Sequence, residues 1–372
     1  MTKVPFIDLT RLESGFIDGV KADVFEALQK AQFVGGPQIE ALENDLRKFT
    51  GAENVVSCAN GTDAIQLALR AAGVANGDRV LVPEMTFWAS VEAVFNVGAI
   101  PICLDVSSET LHLSLSEITK AVSQHKPKAL ILVHLYGWAA PETLEIRKFC
   151  EEQKLLLIED SAQAFGTRLD SKDLIGSASI ATTSFYPAKV LGASGDAGAV
   201  FFKSKALADS ARSLSNHGRI SHYQHGSMGW NSRIGVYESI YLRHSLKVIE
   251  SRIESRRQCL MQYRDQLSDL KQLELMAPTK SVYENGYLNV VRVDSKIRDS
   301  IRGALTEKGI GSGVVYPEPM STQPGYRQYY PAETNPKNAM SIARSIINLP
   351  CFPGITAKEI ETVCEALRKY FS

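Results

Sequence analysis

The sequence of 372 residues predicts an α/β protein built on a mostly parallel sheet. Two observations carry this prediction. From about residue 55 onward, short aliphatic runs alternate with longer stretches of helical pattern. Polar side chains directly follow several of these runs, at the position where parallel sheets bind ligands. The chain is 44% hydrophobic and 22% charged, which is typical of a globular protein with a substantial core.

Short runs of aliphatic and β-branched residues predict the strands. They are residues 55–58, 79–82, 99–104, 129–134, 155–158 and 199–202. Stretches with apolar residues at helical spacing lie between them. They are residues 63–72, 87–97, 115–123 and 141–154.

The pattern changes in the last third of the chain. Residues 236–270 are helical in pattern, and a shorter α+β pattern follows Gly286. It comprises a strand at 287–293, a helix at 296–308, an extended segment at 313–316 and a terminal helix at 358–370. We therefore expect a large domain over residues 1–245, with an N-terminal helical segment, and a smaller C-terminal α+β domain over residues 246–372.

Composition argues against several classes of protein. Lys+Arg and Asp+Glu both number 41, so the zero net charge gives no support for nucleic-acid binding. No apolar run approaches the roughly 18 residues of a membrane span, and we expect no signal peptide. The scattered cysteines and histidines form no metal-binding pattern, and the cysteines are typical of buried free thiols in a reducing cytoplasm. No G-x-G-x-x-G motif follows the first strand, which argues against an NAD-dependent oxidoreductase.

The segment from residue 155 to 198 carries the most informative side chains. Asp160 ends an apolar run and Gln163 follows it, while Ser184 and Lys189 lie farther on, at the start of a Gly/Ala/Ser-rich loop. A lysine can form a Schiff base with an aldehyde, a carboxylate can pair with a pyridinium nitrogen, and small polar groups can bind phosphate. Taken singly, a loop lysine is usually solvated and a strand-end aspartate is often a helix cap. Together and in this order they indicate a pyridoxal phosphate (PLP) site.

Gly61 and Thr62 open a predicted helix directly after a strand. Backbone N–H groups at a helix N-terminus bind phosphate, and glycine allows a close approach. The hydroxyl of Thr62 adds a further donor. Simple helix capping is the alternative, and both roles are compatible.

Over nearly its whole length the sequence resembles the PLP-dependent sugar aminotransferases of the DegT/DnrJ/StrS family. The matching segments are FIDL (6–9), FVGGPQIEALE (33–43), SCANGTDAIQLAL (57–69), PEMTFWAS (83–90), VHLYG (133–137), IEDSAQAFG (158–166), SFYPAKVLGASGDAGA (184–199), the HGR, YQH and GWNSR motifs (217–233) and YPEPMSTQPGY (316–326). The resemblance implies the fold type I of PLP-dependent transferases, with a mostly parallel sheet of the seven-stranded type. It also implies homodimers whose subunits share their active sites.

The resemblance assigns the catalytic roles. Lys189 forms the Schiff base with the cofactor and, once displaced, shuttles the proton between substrate and cofactor. Asp160 pairs with the pyridine nitrogen, so that the ring serves as an electron sink. Gln163 hydrogen-bonds the ring hydroxyl oxygen; the alternative is a surface residue of a following helix.

The resemblance also assigns the remaining cofactor contacts. Ser184 supplies the second phosphate hydroxyl beside Gly61 and Thr62. Asn231 reaches the phosphate of the neighbouring subunit's cofactor. Phe87, rather than the adjacent Trp88, stacks on the pyridine ring.

The residues expected to bind substrate are Arg233, Tyr223, His225 and Tyr316. Arg233 suits an anionic group of a nucleotide-sugar, with a structural ion pair as the alternative. Tyr223 and His225 match a Y-x-H pattern of relatives that aminate carbon 3 of the sugar. The usual histidine before the YP motif is Val315 here, which affects the expected substrate more than the reaction.

These features imply transfer of an amino group from L-glutamate to a keto nucleotide-sugar. A 3-keto hexose or 3-keto-6-deoxy sugar linked to dTDP or UDP is favoured, and a 4-keto sugar is the alternative. Related sugar dehydratases carry histidine in place of the lysine, so Lys189 favours transamination. A PLP-binding regulator is the non-enzymatic alternative, but the chain lacks a helix-turn-helix extension. We expect a cytoplasmic enzyme that acts without a membrane or nucleic-acid partner.

Overall fold

The computed structural model describes residues 4–330 and 335–372. Its strands are β1 (Asn54–Cys58), β2 (Arg79–Pro83), β3 (Ile100–Leu104), β4 (Ala129–Val133), β5 (Leu156–Asp160), β6 (Arg168–Leu169), β7 (Lys172–Asp173), β8 (Ile180–Ser184), β9 (Gly198–Phe202), β10 (Arg219–Ser221), β11 (Gln224–His225), β12 (Glu274–Leu275), β13 (Val282–Tyr283), β14 (Asn289–Arg292) and β15 (Ile346–Leu349). Its α-helices are α1 (Phe16–Gln29), α2 (Pro37–Thr50), α3 (Gly61–Ala71), α4 (Trp88–Asn96), α5 (Leu115–His125), α6 (Thr143–Gln153), α7 (Leu174–Ser177), α8 (Lys205–Leu214), α9 (Val236–Lys247), α10 (Ile249–Gln266), α11 (Arg298–Glu307), α12 (Pro324–Arg327), α13 (Lys337–Ser345) and α14 (Ala357–Phe371).

The central sheet has seven strands in the order β1-β9-β8-β5-β4-β2-β3. All neighbouring pairs are parallel except the two that involve β9, which runs antiparallel to β1 and β8. The predicted α/β class with a mostly parallel sheet is confirmed. Each predicted run in this region coincides with a strand, with small shifts at the ends.

Strand register brings the predicted site residues to one edge of the sheet. Asp160 pairs with Val133 of β4 and with Thr182 of β8. Because β9 lies between β1 and β8, Gly198 is opposite both Cys58 and Ser184. The end of β1, and with it the start of α3, is therefore next to the end of β8.

A second core lies in the C-terminal part of the chain. It contains apolar residues of α10, α11, α14 and the antiparallel sheet β12-β14-β15. Fully buried members include Tyr263, Ile301, Val291, Ile347 and Leu367. Val4 packs into the same core and pairs with Ile310, so the N-terminal segment returns to the C-terminal unit. The domain boundary near residue 245 stays a prediction.

One local prediction in this part was wrong. Residues 236–270 do not form one helix, because α9 ends at Lys247 and α10 begins at Ile249. Val248 between them has φ −118° and ψ 7°, which interrupts the helical backbone. In the segment predicted as extended, residues 313–316, Gly313 makes a single bridge to Asn348 of β15.

Candidate active site

Asp160 is a buried carboxylate at the carboxyl end of β5, with an exposed fraction of 5%. Its Oδ1 accepts a hydrogen bond from the backbone N–H of Ala162 at 3.1 Å, and its Oδ2 accepts one from the hydroxyl of Ser90 at 2.9 Å. Burial raises the pKa of Asp160, while these two donors and the positive charge of Lys189 lower it by less. The ionised form therefore depends on the groups that surround it, as expected for a carboxylate facing a pyridinium ion.

The neighbouring carboxylate, Glu159, has a structural role. It points to the other side of β5, where Nε and Nη2 of Arg147 each donate to it at 2.8 Å. Nε2 of His134 lies 2.9 Å away, and Nδ1 of the same ring accepts from the N–H of Ala140, so Nε2 carries the proton. Burial alone would raise the pKa of Glu159. The hydrogen bonds from His134 and Arg147 outweigh this effect, so the pKa lies below its usual value. This network fixes the loop after β4.

Lys189 lies in a tight loop between β8 and β9. The N–H of Lys189 donates to the carbonyl of Tyr186 at 2.8 Å, and the N–H of Ala193 donates to the carbonyl of Phe185 at 2.7 Å. Nζ of Lys189 lies 4.9 Å from the centre of the Tyr287 ring. Within residues 4–330 and 335–372, no carboxylate lies within ion-pair distance of this ammonium group. The loop hydrogen bonds thus fix the backbone at Lys189, and its Nζ lies over the ring of Tyr287.

Gly61, Thr62 and Ser184 form a cradle at the start of α3. Asn60 caps this helix, its side chain accepting from the N–H of Asp63 at 2.8 Å. The first N–H groups of a helix have no acceptor within the helix, so they are available to an anion. A β-carbon at position 61 would lie only 2.7 Å from the β-carbon of Ser184, so only glycine leaves this space open. The cradle fits the phosphate of PLP.

The start of α4 separates the two candidate stacking residues. Phe87 caps the helix, is 57% exposed, and its ring lies 5.9 Å from the ring of Tyr316. Trp88 turns away and packs beneath Gly325, where an added β-carbon would lie 3.1 Å from the indole. Phe87 therefore has the free aromatic face, as its predicted role requires.

Gln163 is buried, with 5% of its surface exposed, and it lies in a series of turns between β5 and β6 rather than in a helix. The alternative of a surface helical residue was therefore wrong. Oε1 of Gln163 accepts from the N–H of Tyr136 at 2.6 Å, and Nε2 donates to the hydroxyl of Tyr316 at 2.8 Å. Tyr136 has the left-handed backbone conformation, with φ 63°. The turn after β4 thus orients Gln163 toward Tyr316.

Tyr223 and His225 lie apart from these residues within one chain. Both are on the exposed hairpin of β10 and β11, where Tyr223 is 87% exposed and Nδ1 of His225 is 3.0 Å from the carbonyl oxygen of His217. Among the residues that the structure describes, no contact joins either side chain to Lys189.

The segment 231–233 is closer to the site. The N–H of Ala59, just before the cradle, donates to the hydroxyl of Ser232 at 3.3 Å, and the adjacent Asn231 is exposed. Nη1 of Arg233 donates to Oδ1 of Asn216 at 2.6 Å, a hydrogen bond rather than an ion pair. Asn231 thus lies beside its own chain's cradle, and the expected contact with a neighbouring subunit stays a prediction.

Sequence reasoning missed Ser90, Thr86 and Tyr287. Thr86 and Ser90 are four residues apart at the start of a predicted helix, a spacing that puts them on one face and could have been noticed. Tyr287 had no such signal, since it reaches Lys189 only through the fold.

Asp105 is another carboxylate at a strand end, but it has a structural role. It accepts from the N–H groups of Asn338 and Ala339 at the start of α13, at 2.9 Å each.

Other kinds of site find no support in the part of the chain that the structure describes. It contains no group of histidine, cysteine and acidic side chains arranged to hold a metal ion. None of its helices is both long enough and apolar enough to span a bilayer.

Comparison with known proteins agrees with this arrangement. Residues 18–368 match the model of the DegT/DnrJ/EryC1/StrS aminotransferase family. The chain is 33% identical over 373 residues to the UDP-2-acetamido-2-deoxy-3-oxo-D-glucuronate aminotransferase of Pseudomonas aeruginosa, covering 98% of this chain and 99% of that protein. It is 31% identical over 368 residues to the dTDP-3-amino-3,4,6-trideoxy-alpha-D-glucose transaminase of Streptomyces venezuelae, covering 99% and 96% respectively.

A solved structure extends the likeness to the fold. The crystal structure of S. venezuelae DesV in complex with a ketimine intermediate superposes with a TM-score of 0.95 at 31% identity, over 100% of this chain and 99% of that one. The chain therefore belongs to the DegT/DnrJ/EryC1/StrS aminotransferase family and is a PLP-dependent sugar aminotransferase.

Proposed function

We propose that the enzyme transfers an amino group from L-glutamate to the carbon-3 ketone of a hexose or 6-deoxyhexose linked to UDP or dTDP. The observation that carries the reaction type is the buried Asp160 at the end of β5, whose pKa is lowered by the charge of Lys189, with Gly61 and Ser184 at neighbouring strand ends. Support for carbon 3 comes from the relatives, whose names specify 3-oxo and 3-amino sugars linked to UDP and dTDP. The Y-x-H pattern of Tyr223 and His225 is consistent with this choice.

The roles of the chain's own residues follow from their positions. When bound, PLP supplies an electron sink for the negative charge that develops at the carbon exchanging its proton. Asp160 would hold the proton on the ring nitrogen, and Lys189 would carry the proton between carbon atoms. Gly61, Thr62 and Ser184 would bind the phosphate, while Gln163 would orient the ring through its hydroxyl oxygen. Phe87 would cover one face of the ring and exclude water.

We propose a homodimer with shared active sites. The hairpin of β10 and β11 supports this arrangement, because Ile220, Tyr223 and Met228 are 67%, 87% and 82% exposed. Large apolar and aromatic side chains on one projecting element are typical of a protein interface. In this arrangement the hairpin would bring Tyr223 and His225 to the partner's substrate, together with Asn231 and Arg233.

A cytoplasmic location is part of the same proposal. All six cysteines are free thiols, and all except the half-buried Cys103 are buried. Nucleotide-sugar chemistry and reduced thiols both suit that compartment.

The substrate is tested with a panel of 3-keto and 4-keto sugars, each linked to UDP and to dTDP, with nitrogen-15 glutamate as the donor. Mass spectrometry of the product identifies the acceptor that gains the label. We expect labelling of a 3-keto sugar by the native enzyme and none by Lys189→Ala. Labelling restricted to a 4-keto sugar would support the alternative substrate, and labelling of no sugar would contradict the proposal.

A further inference from the structure

Two buried hydroxyl groups lie behind Asp160. Thr86 precedes α4 and Ser90 lies in its first turn; their exposed fractions are 1% and 0%. Oγ of Ser90 is 2.9 Å from Oδ2 of Asp160 and 2.8 Å from Oγ1 of Thr86. The three side chains therefore form a continuous hydrogen-bonded chain that ends on the carboxylate.

The chemistry of the groups fixes the direction of this chain. An ionised carboxylate can only accept, so the hydroxyl of Ser90 donates to Asp160. The oxygen of Ser90 then accepts the proton of Thr86. Each bond polarises the next, and a bond to an ionised acceptor is stronger than one between neutral groups.

The same helical turn also places Phe87. The N–H of Ser90 donates to the carbonyl of Phe87 at 3.1 Å, so both residues belong to one rigid turn. With Ala162 bound to Oδ1 and Ser90 to Oδ2, both oxygens of Asp160 are fixed. The start of α4 thus determines the orientation of the carboxylate and the position of the predicted stacking ring.

We propose that Ser90, supported by Thr86, is a positioning residue that keeps the Asp160 carboxylate ionised and directed at the pyridine nitrogen of PLP. The inference rests on the proposed cofactor site and adds to it the residues that make Asp160 effective. Without the hydroxyl of Ser90, a carboxylate at this depth would lose a donor that no other described side chain replaces.

The test compares Ser90→Ala, Ser90→Thr and Thr86→Val in the full-length enzyme. The readouts are the dissociation constant for PLP, the nitrogen-15 NMR shift of PLP labelled at its ring nitrogen, and the separate kcat and KM values. For Ser90→Ala we expect a shift toward the unprotonated ring, about tenfold weaker binding of PLP and about tenfold lower kcat, with KM changed by less than about twofold. Ser90→Thr keeps the hydroxyl and should give native values of all three readouts. Thr86→Val should change these readouts in the same direction as Ser90→Ala, by a smaller amount.

Ser345→Ala is the matched control. Ser345 is also a buried serine at a helix end, and its hydroxyl donates to the carbonyl of Ser341 at 2.8 Å, away from the site. A native ring-nitrogen shift and native PLP affinity in folded Ser90→Ala would overturn the inference. If Ser90→Ala does not fold, a native ring-nitrogen shift and native PLP affinity in Thr86→Val would overturn the inference instead. Absence of PLP binding by the native enzyme would instead overturn the proposed function.

Discussion

Nε2 of Gln163 donates a hydrogen bond to the hydroxyl of Tyr316 at 2.8 Å, joining residues 153 positions apart. Gln163 follows β5 of the central sheet, whereas Tyr316 belongs to the C-terminal part of the chain. Burial raises the pKa of Tyr316 well above its usual value, so the hydroxyl stays neutral. The bond thus ties the residue predicted to orient the cofactor to a residue predicted to bind substrate.

Tyr316→Phe removes this bond and leaves the buried amide of Gln163 with one partner fewer. We expect kcat/KM for the sugar to fall about tenfold, since a hydrogen bond of this kind contributes about 1–1.5 kcal/mol. Tyr370→Phe, on the terminal helix, is the control and should leave the rate unchanged. Equal kcat/KM values for Tyr316→Phe and the native enzyme would show that the bond has no part in catalysis.

Gly61→Ala tests the phosphate cradle. The added methyl group would lie 2.7 Å from the β-carbon of Ser184 and close the space between them. We expect PLP to bind at least about tenfold more weakly, a loss of about 1.4 kcal/mol, measured by absorbance titration of the apoenzyme.

Gly303→Ala provides the control for that substitution. Gly303 is inside α11, and an added β-carbon there would meet no atom within 4 Å. This change should leave PLP affinity intact and raise the free energy of unfolding by about 0.5–1 kcal/mol. Native PLP affinity in Gly61→Ala would argue against the cradle.

The sequence predicted the sheet well because its strands are buried aliphatic runs between helices, as in residues 129–133. It could not predict that β9 runs antiparallel, since strand direction depends on the connection rather than on composition. Local motifs were enough to propose Asp160 and Lys189 as the catalytic pair. The spacing of Thr86 and Ser90 was visible in the sequence, but the contact of Ser90 with Asp160, like that of Tyr287 with Lys189, arises only from tertiary packing.

Because His112 is buried, we expect the folded protein to lose stability in acid. Nδ1 of His112 lies 2.6 Å from the carbonyl oxygen of Thr110, and Nε2 accepts from the N–H of Leu135 at 3.2 Å, so the ring is neutral. Burial lowers the pKa of His112 from 6.5 to about 4, and the charge of His134 adds a smaller decrease. The hydrogen bonds with Thr110 and Leu135 raise the pKa, but by less than burial lowers it. As the pH falls, the unfolded chain binds the proton of His112 before the folded protein does. The stability that the neutral His112 contributes to the folded state is therefore fully present above pH 6.5 and is lost as the pH falls toward 4.

Urea denaturation between these pH values measures the effect. We expect the native protein to lose up to about 3 kcal/mol from this residue, and His112→Gln to show a flatter pH dependence of its free energy of unfolding. Parallel curves for the two proteins would refute the assignment to His112.

Mixed dimers test whether active sites are shared. If Asn231 serves the partner's cofactor, a dimer of one Lys189→Ala and one Asn231→Ala subunit has one intact site. An equal mixture of the two inactive variants should then recover about one quarter of native activity after subunit exchange. If mixed dimers form without recovery, Asn231 serves the cradle of its own chain, beside which the bond from Ala59 to Ser232 already places it.

The most direct test of the central claim is the absorption spectrum of the purified enzyme with PLP, recorded before and after L-glutamate and then each keto nucleotide-sugar. We expect the visible band of the lysine-linked cofactor to disappear with glutamate and to return with a 3-keto sugar, and Lys189→Ala to lack the initial band. A band that does not respond to glutamate would contradict the proposed donor. The absence of any band in the native enzyme supplied with PLP would contradict the role of Lys189 and with it the proposed mechanism.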